Sequence, residues 1–201
     1  MLPSGSVDTG SIADAITDFM ARATELASFP PAHHWTAKPR SATLNAMNPD
    51  FLREAIRLSL EKMEAGEGGP FGAVIVRNGE IVGRGWNRVT SINDPTAHAE
   101  IVAIRDACCR LGTFSLAGCE IYTSGEPCPM CFAAIYWARL ERIYYAATCE
   151  DATAAGFDDA PFYRQLALPP GSRLIQVVQD LRQEACEAFA AWLRKPNRVV
   201  Y

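Results

Sequence analysis

The sequence predicts an α/β fold of three layers, a mixed sheet of about five strands with helices on both faces. Three observations support it. Residues 73–76 and 81–86 are short apolar runs joined at Asn78-Gly79, a two-residue hairpin signal. Beyond residue 95, segments with helical spacing alternate with short β-branched and aromatic runs, as in a sheet with crossover helices. The 201 residues are about half apolar and 21% charged, enough for a sizeable core and unlike a disordered or fibrous chain.

In chain order, residues 1–48 read as an N-terminal extension, with one amphipathic helix over 12–29. A Pro-rich stretch follows, in which the adjacent His33 and His34 are expected to be solvated rather than ligating. The domain proper is expected over 49–201. Phe51, Ala55, Leu58 and Met63 recur at helical spacing, with Asn48 or Asp50 as cap beside Pro49. The hairpin comes next, then a loop to Pro95 and a helix over 96–111. A strand at 120–123, a helix over 129–139 and a strand at 142–147 follow. The last elements are a helical turn at 161–165, a strand at 174–178 and a helix over about 181–194 that Pro196 stops. Leu181, Ala185, Phe189, Trp192 and Leu193 give that helix an apolar face.

Composition narrows the function. The formal charge of −4, from 19 basic and 23 acidic residues, argues against a broad phosphate-binding face, so nucleic acid is an unlikely partner. No apolar run is long enough to span a bilayer, and no basic, apolar leader stands at the start. The seven cysteines are odd in number and irregularly spaced. They are expected to be reduced thiols of a cytoplasmic protein, some of them on a metal.

The chemistry concentrates in two places. His98-Ala99-Glu100 opens one helix and Pro127-Cys128-Pro129-Met130-Cys131 opens another. Cysteines three apart on a helical turn share one face, and a helix N-terminus favours thiolates. Two thiolates and one imidazole suit a single Zn²⁺ with its fourth position open, whereas a structural site would want four protein ligands. Glu100, two residues beyond His98, is placed to handle protons without being a ligand. Each short motif alone is weak. Together, in order and with Pro before the first Cys, they arise by accident in roughly one chain in several hundred. H-x-E followed by P-C-x-x-C is the zinc deaminase signature.

On these motifs the sequence resembles the cytidine deaminase-like superfamily, and within it the bacterial guanine deaminases. The resemblance runs from Pro49 to Tyr201. It also rests on Gly68-Gly69-Pro70-Phe71-Gly72-Ala73-Val74, Asn93-Asp94-Pro95-Thr96, Ile135-Tyr136-Trp137-Ala138-Arg139 and Gly156-Phe157-Asp158-Asp159. It implies one zinc per chain on His98, Cys128 and Cys131, with Glu100 as general acid/base and Asp159 serving the departing amino group. It implies a substrate cradle of Asn87, Phe71 and the backbone near Ala99, with Trp137 and Phe157 as aromatic walls. Tyr201 is then a cap on the pocket, and a homodimer is implied, the capping C-terminal segment being a swapped partner's in at least some members of the family. Gly125 stands where relatives often carry a larger residue. The implied reaction is hydrolysis of guanine, a small purine, to xanthine and ammonia. Guanosine or an amino-triazine under the same chemistry, adenosine in transfer RNA, and a non-catalytic zinc module remain as alternatives.

Overall fold

A computed structural model describes residues 47–201; the helix expected over 12–29 and the His33-His34 pair lie outside the described residues. Helix α1 (Pro49–Glu64) starts where Asn48 accepts the Asp50 N–H at 3.0 Å, with Pro in the first turn where no N–H is needed. Strands β1 (Gly72–Arg77) and β2 (Glu80–Trp86) pair antiparallel around Asn78 and Gly79. Both turn residues have positive φ, 52° and 79°, as the tight hairpin requires.

The loop to Pro95 contains a short helix, α2 (Val89–Ile92). Helix α3 (Ala99–Leu111) begins three residues later than the sequence suggested. The Asp94 carboxylate accepts both the N–H and the hydroxyl of Thr96, at 2.8 and 2.7 Å, which holds Thr96 in a side-chain turn outside the helix. His98 therefore becomes the residue capping α3. Strand β3 (Cys119–Gly125), helix α4 (Pro129–Trp137) and strand β4 (Arg142–Ala147) complete a crossover, β3 and β4 being parallel. Helices α5 (Cys149–Ala154), α6 (Ala160–Ala167) and α7 (Arg182–Arg194) follow. Helix α5 falls where the sequence pattern predicts no helix.

The sheet order is β2-β1-β3-β4. On one face, α1 brings Leu58 and Phe51 against Val74, Val76 and Tyr122. On the other, Ala99, Ala103 and Ala107 of α3 and Ile135 of α4 close over Ala73, Ile75 and Ile121. The three layers are as expected, but the described sheet has four strands rather than five. Residues 174–178 are irregular, with Leu174 and Ile175 more than four-fifths exposed. Strand propensity is a preference for a half-buried pleated surface, and among the described residues no strand pairs with that run. Among the described residues no broad packing of helix α7 on another element is seen, and Phe189 and Leu193 are exposed. No helix among the described residues is long and apolar enough to cross a membrane.

The seating of α3 depends on glycine in β2. A Cβ on Gly85 would lie 2.2 Å from the Ala99 carbonyl oxygen and 2.3 Å from the Ala103 nitrogen, and one on Gly83 would lie 2.7 Å from the Ala103 carbonyl. The helix thus rests on bare strand backbone. Replacing Gly85 with Ala overpacks this contact and is expected to destabilise the fold by about 1–3 kcal/mol. A lowered urea midpoint with an unchanged slope would report it.

Candidate active site

Helices α3 and α4 start side by side. The Cys128 Sγ lies 3.6 Å from His98 Nδ1, and the ligand atoms of His98, Cys128 and Cys131 all fall within 4.8 Å of one another. Cys128 and Cys131 are buried and His98 half-buried. A tetrahedral zinc with ordinary Zn–S and Zn–N bonds spaces sulfur and nitrogen by about 3.6 Å, so the donor set fits this ion. The Cys131 hydrogen bond holds the Cys128 thiol down at about 4, and His98 adds to the effect. Cys131 is pushed upward by that same bond and by burial. Two sulfurs this close ionise together only when a cation shares their charge. The hydrogen bond with Cys128 raises His98 as well, against the effect of burial.

Glu100 is buried beside this cluster, and burial pushes its carboxyl up to about 7. Asp159, at the start of α6, is raised by partial burial and by the nearby Cys128 sulfur. Capping falls instead to Asp158, whose carboxylate accepts the Ala160 N–H at 2.9 Å, so Asp159 has no side-chain bond to the helix it starts. Phe71 and Phe157 meet edge to face with centroids 4.9 Å apart. Asn87 is buried, and its Oδ1 accepts the N–H of Gly69 at 3.3 Å and of Val89 at 3.2 Å. Ala99 is buried under β2. A Cβ on Gly125 would touch the Phe71 ring at 3.4 Å, an ordinary contact.

Comparison with known proteins fits this geometry. Residues 47–147 match the model of the cytidine and deoxycytidylate deaminase zinc-binding region. The guanine deaminase of Bacillus subtilis is 50% identical over 151 residues, which is 75% of this chain and 97% of that protein. The chain belongs to the cytidine and deoxycytidylate deaminase family. The crystal structure of the B. subtilis guanine deaminase superposes with a TM-score of 0.75, at 49% identity, covering 77% of this chain and 99% of that one. A guanine deaminase structure from Nitrosomonas europaea gives 0.54 at 31% identity, covering 77% and 87%. The tRNA-specific adenosine deaminase of Aquifex aeolicus is 46% identical over 97 residues, covering 48% of this chain and 64% of that protein.

In this deaminase, two expected pocket residues stand together on the surface. Trp137, at the end of α4, is 57% exposed, and Tyr201 is 67% exposed. Their ring centroids are 6.2 Å apart, and Tyr201 lies 6.4 Å from Phe114. They line a groove of about 520 Å³ with Ile101, Ile104 and Arg105. Sequence reasoning also missed how the zinc-ligand segment is tied down. The Glu126 carboxylate accepts the Cys149 N–H at 3.1 Å, and its own N–H donates to the Ala147 carbonyl. Its place directly before Pro127-Cys128 was the available signal. Tyr163, raised by burial and by Cys149, Glu126 and Asp159 around it, carried no signal.

The expected outcome of metal analysis is about one equivalent of zinc per chain in wild type. C131S is expected to lose most of it while keeping its helical circular dichroism, as measured by atomic emission and far-ultraviolet spectra.

Proposed function

We propose that the protein hydrolyses the 2-amino group of guanine, giving xanthine and ammonia. The observation that carries this is the likeness to a guanine deaminase over 97% of that enzyme's length, with His98, Glu100, Cys128 and Cys131 assembled in one site. His98 Nδ1 and the two sulfurs hold the zinc, which when bound supplies Lewis-acid activation of water near neutral pH. Glu100 does the proton work. Buried and poised near 7, it takes a proton from the attacking water and delivers it to the purine N3. Asp159 assists in protonating the amine as the C2–N bond breaks. Two carboxylates suit this reaction, because one proton must reach the ring and another the poor leaving group.

Asn87 sets the orientation of the purine. Its oxygen faces two backbone N–H groups, which leaves the Nδ2 donor to meet an acceptor on the base edge. A base presenting a donor there leaves a buried N–H facing another N–H, and such mismatches reject strongly. Phe71 and Phe157 hold the ring between them and the backbone near Ala99. The acidic balance of charge disfavours transfer RNA as substrate. Seven free thiols and thiolate ligation suit the reducing cytoplasm.

The enzyme acts as a homodimer with exchanged C-terminal segments. The support is the uncovered apolar surface of the run at 174–178 and of Phe189 and Leu193 on α7, which one copy leaves in solvent. Trp137 and Tyr201, adjacent and exposed, then close the partner's pocket.

Two outcomes test this reading. E100Q is expected to lose at least about 100-fold in ammonia release from guanine while binding zinc normally; zinc loss in that variant would contradict the role given to Glu100. Co-expression of E100Q with a variant lacking the last three residues tests the exchange. Activity is expected to reappear in the mixed dimer, because the intact Glu100 site then receives the other chain's Tyr201. If each tail serves its own chain, the mixture stays inactive.

A further inference from the structure

Lys62 stands in the last turn of α1, outside the residues given roles above. Its side chain is only 22% exposed. Its Nζ lies 3.0 Å from Glu67 Oε1 and 4.5 Å from the centroid of the Trp86 ring. Both partners are next to the same contact. Trp86 directly precedes Asn87, and Glu67 directly precedes Gly68-Gly69. Gly68, with φ of 154°, approaches so closely that a Cβ on it would lie 1.8 Å from the Asn87 carbonyl oxygen. The Gly69 N–H donates to Asn87 Oδ1.

A glycine turn has no side chains of its own to pack, so its position depends on what flanks it. Here the flanking residues are joined through one ammonium group. We infer that Lys62 is a positioning residue, clamping the Glu67–Gly69 turn against the Trp86–Asn87 corner and so fixing the direction in which Asn87 presents its carboxamide. The clamp needs a cation that can serve a carboxylate and an aromatic face at once, which an ammonium on a flexible apolar stem does. Loosening the turn lets the carboxamide rotate, and substrate binding then weakens without any change in the proton-transferring groups.

This inference rests on the reading that Asn87 contacts the purine. The test uses steady-state ammonia release from guanine by zinc-loaded enzyme, with K62M, K62R, N87A and the double variant K62M/N87A. K62M keeps the stem and removes the charge. It is expected to raise KM about tenfold with kcat within about twofold of wild type, the pattern of lost uniform binding. K62R is expected to restore most of the affinity. In the N87A background K62M is expected to change KM no further, because both act through one carboxamide. E67Q, which keeps the contact of Lys62 with Trp86, is expected to give a smaller rise and covers the case in which K62M folds poorly. An unchanged KM in K62M, or a full tenfold effect persisting without Asn87, would overturn the clamp. An unchanged KM in N87A itself would instead overturn the substrate role of Asn87, and the clamp with it.

Discussion

The direct seating of α3 on the backbone of β2 is the contact on which the rest of the site depends. A strand with ordinary side chains holds a helix at a distance. Gly83 and Gly85 remove that spacer, and Ala99, Ala103 and Ala107 present small surfaces in return. The N-terminus of α3 is thereby drawn in beside that of α4. His98 meets Cys128 at ligand distance, and Glu100 is buried in the same step. Cys128 and Cys131 stand just beyond the carboxyl end of β3, at the crossover into α4.

That placement sets the electrostatics. A carboxyl group cut off from water favours its neutral form, so Glu100 exchanges protons close to neutral pH. Cys128 sits at the start of α4, where a backbone N–H of the first turn helps favour its ionised form. Asp159 arrives from the other side, on a segment that the Phe71–Phe157 contact holds in place and that Asp158 caps. The two neighbouring aspartates have therefore divided their work, one closing a helix and the other facing the cluster.

The cluster of His98, Cys128 and Cys131 with Glu100 buried beside it was legible in the sequence because each residue lies at a helix start with a fixed local spacing. The hairpin was legible because Asn-Gly admits few other structures. Asp159 could be singled out only through resemblance, since its distance from Glu100 along the chain says nothing about contact. The run at 174–178 misled because its Leu, Ile and Val residues state a preference for burial without stating what buries them. Helix α5 was missed because its Cys-Glu-Asp-Ala-Thr-Ala sequence has no apolar period; Thr148 and Asp151 hold it with a reciprocal cap. Trp137 and Tyr201 were expected at the pocket and stand together on the surface, a relation that lies beyond the reach of one chain's sequence pattern.

Product formation by zinc-loaded wild-type enzyme, supplied in parallel with guanine and guanosine, tests the central claim most directly. Stoichiometric ammonia and xanthine are expected from guanine, with little turnover of guanosine, whose ribose a closed pocket excludes. Equal or faster release from guanosine would contradict the closed pocket, and no release from guanine would contradict the assigned reaction.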